Sequence, residues 1–199
     1  FVCVSFALIH HFLLDEDELW LIYTPSAIIG TLAMGPASIF AQKKGQFKAV
    51  MLFGICAFVL SYFLMAYAVK ESEKWLILLM MIVFFMGFAV LEPIMQSLAS
   101  RYPKAHQKGA ALGIFTTLGY VGSALGGMCG GWLYEAVGVF SLSLIVAVIC
   151  IIWAILLILF LSNPKNHKNV YLKLEGNIAS RLNKLDTLQG IIEWYINQN

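Results

Sequence analysis

The sequence predicts an all-α protein that crosses a membrane several times, with a small α+β tail. Three observations carry that prediction. Of 199 residues, 60% are hydrophobic and only 12% are charged, against about 25% charged in an ordinary soluble domain. The mean hydropathy is +0.82. The apolar residues come in long blocks, not in the period-two alternation of a β-barrel.

A helix needs roughly 20 apolar residues to cross about 30 Å of hydrocarbon. Five blocks reach that length: 19–41, 49–69, 75–99, 109–133 and 137–161. A sixth, 1–14, is apolar but short. Backbone groups in lipid must bond within their own segment, so each block is predicted to be a helix. The chain opens at Phe1 inside an apolar run and ends at Asn199, which reads as a piece of a longer protein. The domain expectation is a bundle over 1–162, a linker over 163–169 and a small domain over 170–199.

The charges sort by side. Asp15-Glu16-Asp17-Glu18 forms an acidic first connection. Lys43, Lys44 and Lys48 fill the second; Arg101, Lys104 and Lys108 fill the fourth; Lys165 and Lys168 follow the last helix. The third mixes Lys70 and Lys74 with Glu71 and Glu73, and the fifth holds Glu135. One side thus carries eight basic residues and the other two. The positive-inside rule puts the eight in the cytoplasm, with the tail beside them.

Within the five full blocks, the single residue among Asp, Glu, Lys and Arg is Glu92. An ionisable group at that depth is costly and marks a candidate site. Phe84, Phe88, Glu92 and Gln96 recur at steps of four, an aromatic stripe leading to a carboxylate. Two readings stay open: the stripe lines a cavity for amphipathic or cationic substrates, or Glu92 hydrogen-bonds a neighbouring helix and holds the bundle together. Pro93 frees the carbonyl of Ala89 and marks a bending point.

The block 109–133 holds half of the sixteen glycines. Gly122, Gly126 and Gly130 share one face; Gly119, Ser123, Gly127 and Gly131 share the next. Small faces let helix backbones approach closely in lipid, either as static packing or as a surface that slides. Tyr23-Thr24-Pro25-Ser26 and Gly35-Pro36 are further candidate bends. The cysteines Cys3, Cys56, Cys129 and Cys150 are scattered, without CxxC, and neither a metal site nor a cofactor motif is predicted. His10 and Asp15 share the HxxxxD spacing of some acyltransferases, with no supporting motif, so no enzyme is predicted. Nothing reads as a nucleic-acid platform.

After Asn163-Pro164 the composition turns polar. Val170, Leu172 and Leu174 alternate with polar neighbours as in a strand. Ile178, Leu182, Leu185 and Leu188 fit a helical face. Ile192, Trp194 and Ile196 alternate again. The expectation is a β-α-β unit, the first half of a ferredoxin-like module.

Two stretches carry a family resemblance. Leu91-Glu92-Pro93-Ile94-Met95-Gln96-Ser97-Leu98-Ala99, then Lys108-Gly109-Ala110-Ala111-Leu112-Gly113 and Gly126-Gly127 to Gly130-Gly131-Trp132-Leu133, resemble helices ten and eleven of major facilitator superfamily drug:proton antiporters. Met34-Gly35-Pro36-Ala37-Ser38-Ile39-Phe40-Ala41 with Lys43, Lys44 and Lys48 resembles that family's degenerate cytoplasmic-loop motif. The tail resembles the YajR-like subgroup. Departures are Pro93 directly after Glu92, Thr117-Leu118-Gly119-Tyr120 in place of a Ser-Gln-Phe stretch, and no acidic residue in the loop motif.

The resemblance implies a C-terminal six-helix half, helices seven to twelve, in a bacterial inner membrane. It implies alternating access with proton-driven efflux of small amphipathic molecules. The partners implied are lipid, protons, a small-molecule substrate and an N-terminal six-helix half, without which this piece is inactive. Glu92, Phe84, Phe88 and Gln96 would lie on a cavity helix. Gly119, Gly122, Gly126 and Gly130, with Pro93, would serve the moving interface or the gate. A non-transporting membrane scaffold or sensor, and a degenerate gene product, are the alternatives.

Overall fold

The computed structural model describes residues 19–71, 74–103 and 107–161. The predicted helix 1–14, the acidic connection, Lys104, and everything from 162 onward, including the strand–helix–strand reading, lie outside the described residues.

Four helices follow in order: α1 Leu19–Lys44, α2 Phe47–Glu71, α3 Lys74–Arg101 and α4 Lys108–Phe160. All four are long and apolar enough to cross a membrane. The predicted spans 19–41, 49–69, 75–99 and 109–133 fall inside them, and 137–161 overlaps the last helix, which ends at Phe160. Apolar length sets where a helix must exist, whereas capping and turn residues set where it stops. Thus α1 continues through Lys43 and Lys44 to Gly45, whose φ of 65° is the left-handed conformation that suits glycine just past a helix end.

The largest difference from the sequence expectation is in α4. Residues 134–136, predicted as a connection, stay helical, and the break falls at Gly138 (φ 74°, ψ 173°), inside the block predicted to be the last helix and in a region open essentially to glycine alone. It divides α4 into an N-arm, 108–137, and a C-arm, 139–160. Val139 packs with Met65, Ile77 and Met81 in one apolar cluster, and Leu157 packs with Phe47, Val90 and Ile94 in another. A straight run from Val139 to Leu157 covers about 27 Å at 1.5 Å per residue, matching the run along α2 from Met65 to Phe47. The C-arm therefore runs back along α2, antiparallel to it. Counting the two arms separately gives five rods among the described residues.

α3 is the central rod, with α1 and α2 both packed along it; α4 packs mainly along α2 and also touches α3, and α1 and α2 touch each other little. Lone glycines permit the closest crossings. A Cβ on Gly30 of α1 would stand 2.9 Å from the Phe85 carbonyl oxygen of α3. One on Gly87 of α3 would stand 2.9 Å from the Gly54 carbonyl oxygen of α2. Buried hydroxyls bond within their own helices: Ser26 to the Ile22 carbonyl, Ser61 to Phe58 and Ser143 to Val139. Pro25, Pro36 and Pro93 interrupt none of the helices.

Lys43, Lys44, Lys48 and Arg101 gather at one end. Lys43 and Lys44 close α1. The Arg101 guanidinium, at the end of α3, lies 4.8 Å from the Phe47 ring centroid at the start of α2. Lys48 donates from Nζ to the Ile158 carbonyl at 2.6 Å, satisfying one of the carbonyls that a helix end leaves without a partner.

Candidate functional site

The stripe on α3 divides. Phe84 is buried against α2, its ring 5.0 Å from Phe58 and 6.2 Å from Tyr62, centroid to centroid. Phe88 is 42% exposed, and Glu92 and Gln96 are exposed. The cause is helical geometry. Four residues advance 400°, so each step overshoots a full turn by about 40°. Over three steps the stripe rotates by about 120°, from the α2 contact to open surface. Phe84 thus belongs to helix packing and not to the exposed set. Pro93 is half-buried beside Glu92, and α3 remains helical through it.

The glycine-rich N-arm is arranged differently from the close crossings. No described residue of 108–137 is buried. A Cβ added at Gly113, Gly119, Gly122, Gly126, Gly127 or Gly131 would meet nothing within 4 Å; Gly130 is half-buried. Among the described residues, the small faces thus stand open. The tight approaches were placed instead at Gly30, Gly54 and Gly87, which sequence reasoning passed over. A signal existed: Gly54, Ala57 and Ser61 sit three and four residues apart on α2, and all are buried.

The loop-motif residues surround a third feature. Pro36 lines an apolar crevice of about 480 Å³ with Ala33, Ala37, Phe40, Ala49, Val50, Phe53, Met86 and Val90. Gly35 is exposed with open space around it. Lys43 and Lys44 are exposed just beyond, with the Lys44 ammonium 4.2 Å from the centroid of the Phe40 ring.

This arrangement holds a lone carboxylate on a transmembrane helix, an open small-residue surface and a basic rim. A family model described as the Major Facilitator Superfamily matches residues 2–190. The chain is 26% identical over 166 residues to the inner membrane transport protein YajR of Escherichia coli (strain K12), covering 82% of this chain and 35% of that protein. It is 32% identical over 79 residues to an uncharacterized transporter of Buchnera aphidicola subsp. Baizongia pistaciae (strain Bp), covering 40% of this chain and 20% of that one. The chain thus spans about a third or less of the length of these curated relatives. It is a multi-pass membrane protein of a transporter family, not an enzyme. With the match running along nearly its whole length, the chain belongs to the major facilitator superfamily.

Proposed function

We propose that this chain forms one lobe of a proton-coupled secondary transporter that exports small amphipathic molecules by alternating access. The observation that carries the reading is the exposed N-arm of α4. A Cβ at Gly119, Gly122, Gly126 or Gly127 would meet no neighbour among the described residues, although close backbone approach is what such faces serve in a membrane. In this reading a second lobe rocks against that arm. Secondary transporters place their sites near the bilayer midplane between such repeats.

Glu92 is the proton carrier in this scheme. It is a carboxylate within a span, exposed from α3, where its charge is costly unless water, a proton or a cation meets it. Phe88 and Gln96 flank it as substrate contacts. The test is transport by the full-length protein in vesicles, comparing Glu92→Gln with the unaltered protein. Gradient-driven export is lost in the variant, while substrate exchange without a gradient persists. Export that keeps its rate and pH dependence in Glu92→Gln removes Glu92 from coupling. An absence of any transport by the unaltered protein would favour a scaffold.

A further inference from the structure

The crevice between α1 and α2 follows from how the two helices are joined. Only Gly45 and Gln46 separate them, yet both lean on α3 and touch each other little. The facing positions are small: Ala33, Pro36 and Ala37 on α1, and Ala49 on α2. Large side chains would have closed the gap. Val90 and Met86 of α3 line it further in, and the exposed rings of Phe40 and Phe53 stand at its rim. The lining is almost wholly apolar, in a volume of about 480 Å³. A groove of that size and lining accommodates part of one extended acyl chain.

What stands above it is cationic. Lys44 lies against Phe40, a lining residue, and Lys43 is exposed next to it. A hydrophobic slot capped by ammonium groups at a membrane surface matches a molecule with a long apolar tail and an anionic head. Basic clusters at the ends of membrane helices attract anionic lipid headgroups by the same physics.

We propose that this crevice is a binding site for an anionic phospholipid, one acyl chain lying between α1 and α2 and its phosphate on Lys43 and Lys44. The site requires only that the chain be embedded in a bilayer. It owes nothing to proton coupling, so either proposal can fail without the other.

The test is photolabelling of the full chain in phosphatidylcholine vesicles. The probe is a phosphatidylglycerol carrying a diazirine in one acyl chain, with the matching phosphatidylcholine probe as control. Adducts are mapped by mass spectrometry. Labelling by the anionic probe is expected to concentrate on Phe40, Phe53 and Met86. Each lysine charge near the bilayer contributes about a fivefold preference, so Lys43→Gln with Lys44→Gln lowers the anionic preference about thirtyfold. Ala37→Trp fills the slot and removes crevice adducts with both probes. Ala49→Phe, from the opposite wall, gives the same reading if the tryptophan variant does not fold. The lysine variants disturb no buried residue and carry the headgroup test alone. Equal crevice labelling by both probes overturns the proposal. So do adducts spread evenly over outward residues such as Ile149 and Ile152. A crevice that takes no label, because a second copy or another part of the protein covers it, overturns it as well.

Discussion

Glycine does two different jobs in this chain, and neighbours decide which. At Gly87 an added methyl would meet the Gly54 carbonyl oxygen at 2.9 Å and the Ala57 Cβ at 3.1 Å. Neither is a flexible tip, so α2 and α3 must separate. Gly87→Ala is expected to destabilise the bundle by about 1–3 kcal/mol, the usual cost of overpacking, read as a lower thermal midpoint in detergent. Gly126→Ala meets open space and leaves that midpoint unchanged. In the proposed transporter it slows export instead, because a second lobe would press on that face. Equal destabilisation by both variants would show that the two kinds of glycine are one. Among the described residues, the close crossings fall at single glycines outside the dense run. A dense glycine run is conspicuous, while a single glycine among Phe, Met and Leu gains meaning only once its neighbour across the interface is known. Phe84 shows the same limit. A step of four suggests a shared stripe, but the 40° drift per step turns one end of it into the core.

At the scale of elements, apolar length was legible and termination was not. Each described span holds the helix its block predicts, because a backbone in lipid has no other way to satisfy its polar groups. The connections were harder to read. Tyr134-Glu135-Ala136 lay between two predicted spans, yet it is helical, and the break falls at Gly138. Two glycines with positive φ mark the breaks: Gly45 at 65° and Gly138 at 74°. With ψ at 173°, Gly138 lies where side chains are strained by about 1–3 kcal/mol. Gly138→Ala therefore lowers the thermal midpoint. A midpoint unchanged from the unaltered protein would mean that the break relaxes into ordinary helix.

For the whole molecule, the sorting of charge was the strongest sequence guide. Lys43, Lys44, Lys48 and Arg101 were assigned to one side by arithmetic alone. The contacts of Arg101 with Phe47 and of Lys48 with Ile158 join them at one end of the bundle. Single cysteines at Gln42 and Glu135, with the native cysteines replaced by serine, are expected to react with a membrane-impermeant maleimide from opposite faces. Reaction of both from the same face would break the topology. In the proposed transporter, substrate choice is not legible in these residues, because a binding cavity between two lobes takes its shape from both.

The break at Gly138 also bears on how the chain enters the bilayer during synthesis. A single non-helical residue separates two long apolar arms, and the one formal charge close to it is Glu135. Almost nothing polar has to be carried across the hydrocarbon when the arms go in together as a hairpin. Lengthening that corner with a run of lysines would impose the burden that the native turn avoids, and would strand the two arms on the near side of the membrane.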